Sequence, residues 1–189
     1  MKKLILTSLL LAQTSLFSAE AIAKYDFKVL GTTKTSTMER EMNEAAQAGY
    51  VFQSVMGGET AFGGKEVVAI MGRSGAGGQK AYKLLAANKT STLEKEMQEA
   101  AAAGFEYRGQ TIFESALGGR EVCVIMERDL SNKSRIGDYR LLATSRTSTL
   151  EKELSAAGPQ GYAVVGMTVS KTAFGGNEVV CILRRAAVE

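Results

Sequence analysis

The chain lacks histidine and tryptophan, and among its 189 residues it has one proline, two cysteines and no long run of charge of one sign. Without histidine it lacks the commonest general base, the usual serine and cysteine triads and most zinc sites. Cys123 and Cys181 are not at metal-ligand spacing, and no phosphate-binding loop is present. Carboxylate pairs can still move protons, and the candidates are Glu39 with Glu41, and Glu66, with their counterparts further along. Such pairs act only in a cleft that perturbs them. Helix capping by Glu39 and a turn beside Glu66 account for both more simply. The composition therefore favours a non-catalytic protein, with no catalytic residue, metal ligand or cofactor assigned. A hydrolase-type enzyme using acidic residues in a groove between repeats is the alternative.

Long apolar runs are also missing. Lys2 and Lys3 precede an apolar stretch, Leu4 to Leu11, and Ala21-Ile22-Ala23 offers a small-x-small cleavage site, with a second possible after Ala21. Gln13, Thr14 and Ser15 break the stretch, leaving it too short to span a bilayer. Residues 1–23 are expected to be a signal peptide, making the protein exported, periplasmic or extracellular, and not membrane-spanning after processing. Cleavage there leaves 166 residues and removes two lysines and one glutamate, so the formal charge falls from +3 to +2. Nucleic-acid binding asks for a strongly basic face with stacking aromatics, and this chain provides neither.

What the sequence does have is a threefold repeat. Phe27 to Lys34 reads FKVLGTTK, Tyr82 to Lys89 reads YKLLAANK, and Tyr139 to Arg146 reads YRLLATSR. Each is followed by TST, Met or Leu, an acidic-basic-acidic triplet, and an Ala-rich stretch ending in Gly and an aromatic. The offsets are 55 and 57 residues. Such a period marks a tandem of one small supersecondary module. The expected divisions are repeat 1 over 24–74, repeat 2 over 80–129 and repeat 3 over 137–189, with linkers at 75–79 and 130–136.

Within a unit the first segment alternates, as a strand does. Ser36, Ser91 and Ser148 each stand three residues before Glu39, Glu94 and Glu151, the spacing of a capping box. Helices are therefore expected near 36–48, 91–103 and 148–157, with Met38, Met42, Ala45 and Ala46 on the buried stripe of the first. Gly49, Gly104 and Gly161 suit left-handed helix ends, and Gly158-Pro159 should stop the third helix early. Gly-Gly pairs at 63–64, 118–119 and 175–176 suit tight hairpin turns. The strands after them, EVVAIM, EVCVIM and EVVCIL, are apolar on both faces and belong in the middle of a covered sheet. The fold class is thus α+β: three tandem β-α-β-β repeats with their sheets packed together and helices outside. A pseudo-threefold arrangement is one way to achieve this. Cys123 and Cys181 should point to opposite strand faces as buried thiols, with no disulfide between them.

Each unit resembles a family of short bacterial domains of unknown function. Those domains read E-Y-K-V-V, then L-x-x-L-N-E-x-G-x-x-G-W-E-L-V, then a final apolar strand ending in basic residues. The matching pieces are Tyr25 to Leu30, Met42 to Tyr50, and Val67 to Arg73, with Tyr or Phe where the family has Trp. The resemblance implies a β-α-β-β fold and brings no catalytic residues.

The surface feature with most bearing on function is a basic residue before each TST. Helix N-termini carry free N–H groups and partial positive charge that can hold an anion. The candidate anion-binding residues are Lys34, Ser36 and Thr37; Lys89, Ser91 and Thr92; and Arg146, Ser148 and Thr149. Three similar sites suit multivalent contact with an anionic polymer or cell-envelope component. A structural envelope protein that self-associates through exposed strand edges is a further alternative.

Overall fold

The computed structural model describes residues 25–59, 65–73, 79–114, 120–131, 136–171 and 176–187. Residues 1–23, expected to be a signal peptide, and positions 63–64, 118–119 and 175, expected to form turns, lie outside these residues. Unit one comprises β1 (Asp26–Thr32), α1 (Thr35–Gln47), β2 (Val51–Glu59) and β3 (Lys65–Arg73). Unit two repeats this with β4 (Lys80–Ala87), α2 (Thr90–Ala102), β5 (Glu106–Glu114) and β6 (Arg120–Asp129). Unit three has β7 (Asp138–Thr144), α3 (Thr147–Ala157), a 3-10 turn over Gly158–Gln160, β8 (Ala163–Lys171) and β9 (Asn177–Arg185). The protein is thus α+β, with three β-α-β-β units.

Each helix ends as the glycines require. Gly49, Gly104 and Gly161 have φ of 84°, 83° and 84°, a conformation that costs a Cβ-bearing residue. The Tyr50 N–H donates to the Ala45 carbonyl and the Gly49 N–H to the Ala46 carbonyl, the paired bonds of a Schellman motif. The same bonds recur from Phe105 and Gly104. In unit three Pro159 ends α3 two residues short, and the 3-10 turn completes the path to Gly161.

The third strand of each unit lies in the middle of its sheet, in the orders β1-β3-β2, β4-β6-β5 and β7-β9-β8, with every pairing antiparallel. Val29 pairs with Ile70, Leu84 with Ile125 and Leu141 with Ile182, so the three registers match. Each second strand carries a one-residue bulge, at Gln53, Arg108 and Val165.

Substantial contacts between units, among the described residues, run from unit one to unit two and from unit two to unit three. Successive sheets meet as a wedge. Along one side β2 lies against β5 and β5 against β8; along the other, α1 sits between β1 and β4, and α2 between β4 and β7. α1 and α2 therefore line the seams between units, where the sequence placed the helices outside. Met38, Met42, Ala45 and Ala46 form one core with Val67, Ala69 and Met71 of their own sheet and Tyr82, Cys123 and Ile125 of the next. Leu93, Met97, Ala100 and Ala101 do the same between units two and three. Both faces of β6 are consequently buried, with Cys123, Val124 and Ile125 fully inaccessible. In unit one the two-faced burial expected of the third strand fails: Ile70 is exposed, because the covering contact that unit one makes on Ile125 is not made on its own sheet by another of the described units.

The sheets come together where side chains are absent. Gly57 donates its N–H to Thr111 Oγ1 at 2.6 Å, and a Cβ there would overlap the Ile112 carbonyl. Its neighbour Gly58 faces open space. Gly57→Ala is therefore expected to destabilise the protein by about 1–3 kcal/mol through forced separation of the strands. Gly58→Ala should stay within about 0.5 kcal/mol. Urea unfolding of the two variants checks the contrast.

Candidate functional site

The proposed anion-binding residues fall at the helix starts, but the cap is not where the spacing put it. The helices begin at Thr35, Thr90 and Thr147, and the cap positions belong to Lys34, Lys89 and Arg146, with φ near −120° to −130° and no side-chain cap bond. Ser36, Ser91 and Ser148 lie inside the first turn, and no capping box forms. Two of the three glutamates that would complete it are engaged elsewhere. Glu39 accepts the Leu84 N–H at 2.8 Å and Glu94 accepts the Leu141 N–H at 2.7 Å, each in the following unit. The turn before the helix is held instead by Thr32 and Thr144, whose hydroxyls accept the N–H of Lys34 and Arg146, both at 3.2 Å. The first helical N–H to find a backbone carbonyl is that of Met38, bonded to Lys34. Lys34, Lys89 and Arg146 are all exposed. The residues of each cluster share one helix start, giving three separate clusters, one per unit.

Of the carboxylates raised as catalytic candidates, Glu39 and Glu41 are each engaged with another group. Glu39 is bonded across the seam, and Glu41 lies 3.7 Å from Arg40 on the outer face of α1. Among the described residues, no three of Cys, Asp and Glu gather where they could share a metal ion. Also among the described residues, no helix is long and apolar enough to cross a membrane. Cys123 and Cys181 are buried and free.

Two polar features emerge that the sequence did not reveal. One is a backbone clamp at each seam. Asn43 Nδ2 donates to the Tyr82 carbonyl and Asn43 Oδ1 accepts the Tyr82 N–H, both at 2.9 Å, so one amide satisfies the outer edge of β4. Gln98, at the equivalent position of α2, donates to the Tyr139 carbonyl. The Tyr82 and Tyr139 hydroxyls reach back to accept the N–H groups of Phe52 and Tyr107 at 2.8 and 2.7 Å. Tyr82 also donates to the buried Glu127 at 2.7 Å, and Glu127 is further held by Arg108 at 2.9 Å. The available signal was a polar amide at one position of two helices, next to the apolar stripe.

The other feature is a ring beneath two cations at the opposite helix end. Lys28 and Arg73 lie over Tyr50, Lys83 and Arg128 over Phe105, and Arg140 and Arg185 over Tyr162, at 4.5–5.9 Å from the ring centres. Arg73 donates to the Ala48 carbonyl and Arg128 to the Ala103 carbonyl, placing positive charge at the negative end of each helix. The Tyr50 hydroxyl and the Arg73 guanidinium hold Asp26 below the usual carboxylate range. These cations are thus engaged within their own units.

Compared with protein-family models, curated proteins and solved structures, the chain matches none of them.

Removing the serine hydroxyls tests the corrected cap. Ser36→Ala, Ser91→Ala and Ser148→Ala should each change stability by no more than about 0.5 kcal/mol, well below the loss of a true cap. Asn43→Ala strands two backbone groups of Tyr82 inside the seam and should cost about 1–3 kcal/mol. Denaturant unfolding of the four variants decides it.

The seams also set a pH limit. Burial raises Tyr82 and Tyr139 above the ordinary phenol value of 10.0 and pushes Tyr107 up to about 12. Burial likewise pushes the Cys123 thiol from 9.0 to about 12. In each case the folded chain holds its proton more tightly than the unfolded chain. The associated stability is fully present below the ordinary values and is lost as pH rises toward the folded ones. Thermal unfolding midpoints should fall steadily from pH 9.0 upward. An unchanged midpoint up to about pH 11 would contradict the burial of these groups.

Proposed function

We propose that the protein is an exported, non-catalytic interaction protein whose three units present repeated basic sites to an anionic polymer or cell-envelope component. The observation that carries this reading is the state of the helix starts. Lys34, Lys89 and Arg146 are exposed at cap positions that no side chain fills. Each leaves first-turn N–H groups and the positive end of a helix dipole available to an anion. The Thr37, Thr92 and Thr149 hydroxyls belong to the same first turns. Three weak sites on one chain bind a polymer far better than any one of them alone.

The remaining chemistry-bearing groups support a non-catalytic role by what they already do. Glu39 and Glu94, along with Tyr82 and Tyr139, spend hydrogen bonds on joining units, and Glu127 is held within unit two by Tyr82 and Arg108. As to the placement of the units, the serial contacts argue for an open row rather than a closed pseudo-threefold ring.

Titration with dextran sulfate at low and high salt tests the reading. Binding should be measurable at low salt and weaken steeply as salt screens exposed charge. The triple variant Lys34→Ala, Lys89→Ala, Arg146→Ala should lose at least about tenfold in apparent affinity with its unfolding midpoint nearly unchanged. Undiminished binding by the triple variant rejects these sites.

A further inference from the structure

The row of units ends in two unlike faces, and the interior of the same chain shows what covers each of them. On unit one, the sheet face turned away from α1 is apolar and open: Phe27, Val29 and Ile70 are 59%, 67% and 38% exposed, and Met56 stands beside them. At the same register in unit two, Tyr82 and Ile125 are 3% and 0% exposed, because unit one lies on them. In unit three, Tyr139, Leu141 and Ile182 are buried in the same way by unit two.

The other end mirrors this. The face of unit three that corresponds to the covering surface of units one and two is also open. Val164, Met167 and Val169 are exposed there. Leu150 and Leu154 of α3 are only half-buried, whereas their counterparts Met38, Met42, Leu93 and Met97 are fully buried against a following unit.

We propose that a second copy of this chain occupies these faces, the open face of unit one in one copy packing on the open face of unit three in the next. The contact would be a third instance of a seam that the chain already forms twice. Its polar matching follows residue by residue. Glu151 is exposed on α3 at the position of Glu39 and Glu94, and would accept the N–H of Val29, the counterpart of Leu84 and Leu141. No charge is stranded. Where unit three brings Arg184 to Glu106 of unit two, the new contact brings Gly72 to Ala163. It is also weaker than the internal seams. Phe27 lacks the hydroxyl of Tyr82 and Tyr139, and Ser155 is too short to clamp an edge as Asn43 does. The association is therefore reversible. Because the two faces differ, it is head-to-tail, and it extends to rings or rows of more than two copies. It involves none of the basic helix starts, so its success or failure leaves the polymer-binding reading untouched.

Sedimentation velocity from micromolar to near-millimolar protein tests it. The unaltered protein should show a mass that rises with concentration beyond two chains. Val29→Lys and Met167→Lys alter exposed side chains at opposite ends, and circular dichroism with thermal unfolding checks that both remain folded. Each variant alone should be monomeric, and an equimolar mixture should form a dimer and nothing larger, since one intact face of each kind remains. A monomer at every concentration overturns the proposal. So does a dimer that persists in either single variant, which would mean a symmetric contact through one face.

Discussion

The structure depends on how the first strand of each later unit is completed. β4 and β7 are edge strands of their own sheets, and an edge presents N–H and C=O groups that are costly to bury unpaired. The helix of the preceding unit supplies what a neighbouring strand would have supplied. Asn43 answers both backbone groups of Tyr82, and Glu39 answers Leu84. Once these groups are satisfied, Met38, Met42 and the small alanines can close over Cys123 and Ile125. The polar clamp and the apolar core are thus one device, since the core could not cover the strand edge without the clamp.

That arrangement makes the protein nearly one-dimensional, with each unit stabilised by its neighbour in the row. It also makes the units non-interchangeable. One position of the third strand is Gly72 in unit one, Glu127 in unit two and Arg184 in unit three. Glu127 is answered within its own unit by Arg108, whereas Arg184 is answered by Glu106 of unit two. Unit three placed after unit one would set Arg184 opposite Val51 and leave a half-buried guanidinium without its carboxylate. Seams of the same shape are told apart by charge.

The groups that a search for catalysis would examine first are committed to these seams. A chain without histidine has few ways to build a general base, and Glu39, Glu94, Glu127, Tyr82 and Tyr139 are spent on backbone groups and on one another. What varies from solvent-facing to buried along the row is the apolar sheet face, and what repeats unchanged is the basic helix start. The proposed interaction role draws on both.

The sequence by itself determined the unit. Alternation, the Met-Ala stripe, the glycines at 49, 104 and 161, and Pro159 are local signals, each acting within a few residues, and strands and helices follow from them wherever the unit is placed. The spacing of Ser36 and Glu39 misled because a capping box and a cross-seam carboxylate look alike until the next unit is in position. Tertiary structure alone decided the wedge, the two unlike ends, the clamp by Asn43 and the stacking of Arg73 and Lys28 on Tyr50. The clamp and the stacking join residues from 22 to 39 positions apart. Their partners are chosen by which faces meet, and one unit read alone does not contain that information.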